Sequence, residues 1–144
     1  MKAARIARQA LLLVALAFVP AISQAVYFRD KVSWKTSIPP SESVTVAKAR
    51  GWGDQAIWVD ARPDEEFEKD HVPGAIPVNQ ERWDELLPQF LSAWTPEKQV
   101  VVYCSSQSCN VSRDVARRLR NLTNPPMPNI YVLEGGWEEW EKTK

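Results

Sequence analysis

The fold of this chain is decided by the stretch Val100-Val101-Val102-Tyr103-Cys104-Ser105-Ser106-Gln107-Ser108-Cys109-Asn110. Its first four residues are apolar and predict a strand that is buried on both faces. The polar segment that follows predicts a tight loop, and a helical pattern begins at Val111. The sequence therefore predicts a strand, a loop and a helix, with Cys104 at the end of the strand.

This arrangement can make the thiol of Cys104 reactive, because loop amides and a helix N-terminus can both point at its sulfur and favour the thiolate. A helix dipole alone contributes about 0.3–1 kcal/mol, which is less than one pKa unit. The loop N–H groups must therefore supply most of the effect. We expect an anion cradle formed by Ser105, Ser106, Gln107, Ser108 and Asn110. The alternative is a structural cysteine buried at a strand end.

Composition indicates one soluble domain. The chain has 144 residues, 25% of them charged, with a formal net charge of zero. These values are ordinary for a globular protein, and nothing in them indicates nucleic-acid binding. Arginines cluster on the helix after Cys104, which predicts a solvated face or a field that steers anions; they are Arg113, Arg117, Arg118 and Arg120.

The N-terminal segment, residues 1–25, has the features of an export signal. Positive residues precede an apolar core, Ala10 to Ile22, and small residues follow it. This core is shorter than the roughly 20 residues that span a bilayer, so we expect cleavage rather than an uncleaved anchor. An uncleaved segment would be the chain's membrane contact. In either case a bacterial protein would be periplasmic or lie on the outer face of the inner membrane, where two cysteines can be oxidised.

Residues 26–42 form a connecting segment, and residues 43–144 form the domain. Strands alternate with helices along it, which predicts a parallel sheet covered on both faces. The expected strands are Ala56–Val59, a short one within Val72–Val78, Val100–Tyr103 and Ile130–Leu133. The expected helices are Ser43–Trp52, Pro63–Asp70, Glu81–Trp94, one starting near Val111 and Trp137–Trp140. The inner helix faces should carry Trp83, Leu86, Leu87, Phe90, Leu91 and Trp94, and Val111, Val115, Leu119 and Leu122. Asp60 and Cys104 both end strands, where reactive groups gather in such sheets.

At this point the chain resembles the rhodanese-like domain family of sulfurtransferases. Three stretches carry the resemblance: Val59-Asp60-Ala61-Arg62 with Glu66-Phe67 and His71 to Val78; Tyr103-Cys104; and Tyr131 to Trp137 with Trp140. The resemblance implies a three-layer α/β fold with a five-stranded parallel sheet flanked by helices. It implies that Cys104 is the nucleophile, which takes a sulfane sulfur from a donor and passes it on as a persulfide.

The resemblance also implies supporting roles for Asp60 and Arg62, which would brace the loop by charge-assisted hydrogen bonds. The implied partners are a small sulfur-containing donor and a thiol or other nucleophilic acceptor, including a protein thiol. No cofactor and no metal are expected. His71 is the chain's one histidine, which predicts a hydrogen bond that fixes a turn rather than a metal site.

The loop departs from the family pattern Cys-x-x-Gly-x-Arg-Ser. Ser112 resembles the helix-opening serine, so the loop is about two residues longer and lacks the family's arginine. This departure disfavours dianionic donors such as thiosulfate. Arg113 is the residue that could reach back and support the loop.

Cys109 is the second departure. It is either a small loop residue or a resolving thiol that closes a disulfide with Cys104. Three functions follow: a sulfurtransferase that uses Cys104, a dithiol/disulfide oxidoreductase that uses both cysteines, and a non-catalytic module that binds a protein partner.

Overall fold

The computed structural model describes Arg8, residues 38–106 and residues 110–144. The expected export signal apart from that arginine, the connecting segment up to residue 37 and the loop residues 107–109 lie outside the described residues. None of the helices described is both long and apolar enough to cross a membrane.

Strands and helices alternate between residues 38 and 144. The strands are β1 (Ser43–Val44), β2 (Ala56–Asp60), β3 (Ile76–Pro77), β4 (Gln99–Tyr103) and β5 (Ile130–Leu133). The α-helices are α1 (Val46–Gly51), α2 (Asp64–Lys69), α3 (Trp83–Ala93), α4 (Val111–Arg120) and α5 (Gly136–Glu141). A short 3-10 helix, Gly53–Gln55, leads into β2.

The strands form one five-stranded parallel sheet in the order β1-β5-β4-β2-β3. This confirms the predicted α/β class and the five-stranded sheet flanked by helices. The central strand β4 pairs with β2 and β5, and Val59 lies beside Val102 in the register. Because all strands run the same way, the residues that follow β2 and β4 emerge at the same edge of the sheet.

The sheet is buried by one apolar layer on each face. On one face, Val100 and Val102 pack with Phe90 of α3 and Leu119 of α4. On the other face, Val101 and Tyr103 pack with residues of α1 and α5, among them Trp140. Each fully buried side chain of this size contributes about 1.5–3 kcal/mol of hydrophobic stabilisation. The end of β4 is therefore held rigidly between two packed layers.

The predicted helix Ser43–Trp52 is wrong at its start. Ser43 and Val44 form the edge strand β1 and lie opposite Val132 and Leu133 of β5. The helix begins at Val46, after Thr45 accepts a hydrogen bond at 3.4 Å from the N–H of Lys48. A side-chain cap of this kind marks the first turn of a helix.

The predicted burial of two side chains is also wrong. The side chains of Leu91 and Leu122 are 43% and 37% exposed. Leu91 directly follows the buried Phe90, and one residue along a helix turns the side chain by about 100°. Leu122 lies beyond the end of α4, so the helical spacing no longer governs it. Trp83, Leu86, Phe90, Val115 and Leu119 are buried as predicted.

Candidate active site

Cys104 directly follows β4 and is only 2% exposed. Its carbonyl oxygen accepts a hydrogen bond at 2.7 Å from the N–H of Trp137, and that of Ser105 accepts one at 3.2 Å from Glu138. Both donors lie in the first turn of α5, where backbone N–H groups have no partner within the helix. The start of α5 therefore fixes the orientation of the first two peptide groups of the loop.

The sulfur of Cys104 lies beside Ser112 in the first turn of α4. The Sγ–Oγ distance is 3.2 Å, and both side chains are buried. Cys104 is in its disulfide-bonded form, so in this contact the Ser112 hydroxyl is the donor and the sulfur is the acceptor. Sγ also lies 3.6 Å from the carbonyl oxygen of Ser106. Cys109, the chain's other cysteine, is outside the described residues.

Asp60 and Arg62 form a buried ion pair at the end of β2. Arg62 donates to the Asp60 carboxylate from Nη2 at 2.7 Å and from Nε at 3.0 Å, and its backbone N–H donates at 2.9 Å. The two side chains are 0% and 3% exposed. Burial lowers the pKa of Arg62, but the hydrogen bonds and negative charge of Asp60 outweigh it and raise that pKa. Arg62 is therefore cationic, and its charge is compensated within the protein.

Further contacts join Arg62 to the loop. Its Nη2 donates to the carbonyl oxygen of Asp70 at 2.6 Å, and its Nη1 lies 3.8 Å from the Glu66 carboxylate. The same carboxylate accepts a hydrogen bond at 2.9 Å from the hydroxyl of Ser105. The guanidinium also lies 4.4 Å from the ring centre of Trp137, which is close enough for a cation–π contact. Arg62 thus reaches the cysteine loop through Glu66.

Tyr103 supports the same region from the end of β4. Its hydroxyl accepts a hydrogen bond at 3.1 Å from the N–H of Val72. Burial, together with the negative charge of Asp60, raises the pKa of Tyr103 well above its ordinary value. The phenol therefore stays neutral and structural. His71, the residue before Val72, places its Nδ1 2.8 Å from the carbonyl oxygen of Phe67, and the imidazole ring stacks on the Phe67 ring. These contacts agree with the predicted turn-fixing role of His71.

A pocket of about 180 Å³ opens beside Cys104. Its walls come from the end of β2, from the segment between β3 and α3, and from the cysteine loop with the start of α4. The lining residues are Ala61, Arg62, Pro63, Asn79, Gln80, Glu81, Cys104, Ser105 and Val111. The pocket thus brings together three of the predicted site residues, Arg62, Cys104 and Ser105.

The other predicted site residues lie around this pocket. Asp60 is paired with Arg62, Ser106 contacts Cys104, and Asn110 precedes α4. Gln107, Ser108 and Cys109 are outside the described residues. Arg113 is partly buried in the first turn of α4 and is not one of the described residues that line the pocket.

The remaining arginines of α4 have local partners. Arg117 lies 3.4 Å from the carboxylate of Asp114, and Arg120 lies 3.1 Å from that of Glu42. Arg118 covers the ring of Trp83, with 4.0 Å between the guanidinium carbon and the ring centre. Arg117 and Arg118 are exposed and Arg120 is partly buried, so the first two fit the predicted solvated helix face.

The sequence did not identify Asn79, Gln80 and Glu81 as part of the site. Asn79 is buried, and its side chain donates to Asp64 at 2.7 Å and accepts from the N–H of Arg82 at 2.9 Å. The available signal was a polar residue directly after the stretch Val72–Val78, in which the sequence predicted a short strand. Among the described residues, no cluster of three or more metal-ligating acidic, histidine or cysteine side chains is found.

A model of the "Rhodanese-like domain" family matches residues 43–143. The chain belongs to the rhodanese-like domain family. The match includes all five strands described above, the Asp60–Arg62 pair and the cysteine loop. Membership supports the sulfurtransferase type of domain.

Solved structures agree with this rhodanese-like fold. The BH2092 protein from Bacillus halodurans superposes with a TM-score of 0.58 at 22% identity, covering 86% of this chain and 82% of that one. A rhodanese-related protein from Thermoplasma volcanium superposes with a TM-score of 0.50 at 16% identity, covering 71% and 92%. At these identities the likeness concerns the fold alone.

A curated relative is the HTH-type transcriptional regulator Rv0324 of Mycobacterium tuberculosis, 29% identical over 105 residues. The match covers 70% of this chain and 42% of the relative. The chain thus spans less than half of the length of that protein, and the similarity is one of a shared domain.

Proposed function

We propose that this chain is a sulfurtransferase that carries a sulfane sulfur as a persulfide on Cys104. The observation that carries the proposal is the placement of Cys104. Its sulfur lies at the carboxyl edge of the central strand, 3.2 Å from the hydroxyl of Ser112, and the residue lines a pocket. A thiolate in this position would accept the Ser112 hydrogen bond and would face a bound donor.

The surrounding contacts support a loop that is preorganised for this chemistry. The first turn of α5 donates hydrogen bonds to the carbonyl oxygens of Cys104 and Ser105, which fixes the orientation of these two peptide groups. The Glu66 carboxylate, which lies 3.8 Å from Nη1 of Arg62, accepts a hydrogen bond from the hydroxyl of Ser105. Positioned N–H groups can then stabilise negative charge on the sulfur without reorganising during the reaction.

The proposed cycle has two displacements. The Cys104 thiolate attacks the outer sulfur of the donor, a new S–S bond forms, and the rest of the donor leaves with the electron pair of the broken bond. An acceptor thiolate then attacks the outer sulfur of the persulfide and releases Cys104 as a thiolate. A thiol reductant must first open the disulfide of Cys104 by supplying two electrons.

The test is a sulfur-transfer assay on the reduced full chain, Cys104→Ser and Cys109→Ser. A loss of turnover in Cys104→Ser alone supports the sulfurtransferase. Absence of turnover by the wild type with every donor tried would contradict it and favour the protein-binding module.

A dithiol/disulfide oxidoreductase is the second candidate, and the disulfide-bonded form of Cys104 favours it. This reading requires Cys109 as the resolving thiol. It predicts that Cys109→Ser also abolishes activity and that the wild type reduces or oxidises a model dithiol substrate. Retention of full transfer activity by Cys109→Ser would exclude it.

We further propose export to the periplasm or the outer face of the inner membrane. The basic, apolar and small-residue segments of residues 1–25 support this proposal. An oxidising compartment would also suit a disulfide at Cys104. Mass spectrometry of the isolated protein should show a mature N-terminus near Val26. An intact Met1 on cytosolic protein would refute it.

A further inference from the structure

Few charged side chains line the pocket beside Cys104 or contact its wall. Arg62 is the cationic residue among the described residues that line it. Its guanidinium is bonded to the Asp60 carboxylate and the Asp70 carbonyl and lies near the Glu66 carboxylate. Two carboxylates therefore compensate one cation, and little positive charge is left for a ligand.

The described residues that line the other walls add no cation. Residues 104–111 contain no lysine or arginine. Arg82, next to the pocket segment, lies 2.7 Å from the carboxylate of Asp64 and 2.9 Å from that of Glu85. Glu81 is exposed and lines the pocket, so it places a negative charge at the mouth.

The remaining lining is uncharged, and it includes the exposed amide side chain of Gln80. Ala61, Pro63 and Val111 contribute hydrocarbon surface. The side-chain amide of Asn79 donates from its nitrogen to Asp64 and accepts at its oxygen from the N–H of Arg82. The side-chain carboxylates at this pocket, those of Asp60, Glu66 and Glu81, thus outnumber its one cation among the described lining residues. This excess penalises each additional negative charge on the donor.

We propose that the pocket selects organic sulfane-sulfur donors with at most one negative charge and a small apolar group. It discriminates against the dianion thiosulfate. This inference rests on the proposed sulfurtransferase function and names the donor class for the same site. With methanethiosulfonate, the Cys104 thiolate takes the outer sulfur, the S–S bond to the sulfonyl sulfur breaks, and methanesulfinate leaves with the electron pair. Cyanide then removes the outer sulfur as thiocyanate and regenerates the thiolate.

The test compares kcat/KM for methanethiosulfonate and thiosulfate on the reduced full chain with cyanide as acceptor. The reaction of 2-mercaptoethanol with the same two donors gives the intrinsic preference. We expect the protein to favour methanethiosulfonate by about tenfold more than the small thiol does. An equal or smaller preference overturns the inference and leaves the sulfurtransferase intact. Absence of transfer from both donors, and from other sulfane-sulfur donors, overturns both.

Val111 offers a gain-of-function test because it lines the pocket and directly precedes Ser112. Val111→Arg should raise the thiosulfate/methanethiosulfonate ratio by about tenfold, whereas Val111→Met should keep a ratio near that of the wild type. Asn121→Arg places the same charge at the exposed far end of α4 and should leave the ratio unchanged. An equal ratio in Val111→Arg and Val111→Met would refute the charge argument.

Glu81→Gln gives a second test that does not alter the packed wall, because Glu81 is exposed. This substitution should raise the thiosulfate/methanethiosulfonate ratio of kcat/KM by about threefold. Asp54→Asn removes the same charge just before β2, at the opposite edge of the sheet, and should have no effect. Equal effects of the two substitutions would show that overall charge, not the pocket, sets the preference.

Discussion

Gly136 packs directly on the backbone of Cys104. A Cβ atom at Gly136 would lie 2.5 Å from the carbonyl oxygen of Cys104 and 3.2 Å from the backbone nitrogen of Ser106. Gly136 also has a φ of +59°, which side chains disfavour. The start of α5 and the cysteine loop therefore approach as closely as they do because this position lacks a side chain.

Gly136→Ala should distort the cysteine loop and reduce sulfur transfer at least tenfold, with a loss of about 2–3 kcal/mol of unfolding free energy. Gly74→Ala is the matched control, since Gly74 has a φ of +78° but open space around its Cβ position. It should cost about 1 kcal/mol and leave transfer unchanged. Urea unfolding and the transfer assay measure both effects. Equal effects of the two substitutions on transfer would contradict the claim that the close approach of Gly136 to the cysteine loop matters for transfer.

Ser112→Ala removes the hydroxyl that lies 3.2 Å from the sulfur. Hydrogen bonds to charged groups contribute about 1.5–3 kcal/mol, so the pH midpoint for alkylation of reduced Cys104 should rise by about one unit or more. The measurement is the rate of iodoacetamide reaction against pH, with Ser112→Thr as the variant that keeps the hydroxyl. A midpoint unchanged in Ser112→Ala would show that this hydroxyl does not stabilise the thiolate.

The buried pair of Asp60 and Arg62 should be far more important to stability than an exposed pair. Arg62→Ala leaves a buried carboxylate without its partner and should cost about 3–5 kcal/mol. Arg117→Ala breaks an exposed pair with Asp114 on α4 and should cost less than about 1 kcal/mol. Thermal and urea unfolding of both variants give the comparison. Similar losses would mean that the buried pair is not a major brace.

Asp64 makes the stability of the pocket wall dependent on pH. The hydrogen bond from Arg82 lowers the pKa of Asp64 below its ordinary value of 3.8, burial opposes this effect, and the bond from Asn79 adds to it. A carboxyl whose pKa is lowered in the folded state stabilises the protein at pH values above its pKa in the unfolded state. This contribution is lost as the pH falls through its pKa in the folded state.

Asp64→Asn should therefore destabilise the protein at pH 7 and should differ less from the wild type as the pH falls below about 4. Urea unfolding at several pH values measures this difference. Asp54→Asn, on the 3-10 helix before β2, is the control and should show little effect at any of these values. A constant difference across the range would separate the effect from the ionisation of Asp64.

The sequence was sufficient for the features that depend on local pattern. The apolar run before Cys104 and the strand before Asp60 identified the edge of the sheet where the site lies. The edge strand β1 was missed because two residues carry no periodicity, and its pairing partner Val132 lies far along the chain.

The contacts that build the site could not be predicted, because they join residues that lie far apart along the chain. Glu66 joins Ser105 to Arg62 across 39 residues of sequence. Trp137 lies over Arg62 because α5 folds back against the end of β4. Such contacts are set by the packing of the whole domain, so a motif can identify the residues without giving their geometry.

The most direct test is mass spectrometry of the peptide that contains Cys104, after the reduced protein has reacted with methanethiosulfonate. We predict one added sulfur atom on Cys104, its removal by cyanide, and no addition in the Cys104→Ser protein. A Cys104 peptide that never gains a sulfur from any sulfane-sulfur donor, in reduced and folded protein, would contradict the proposed function.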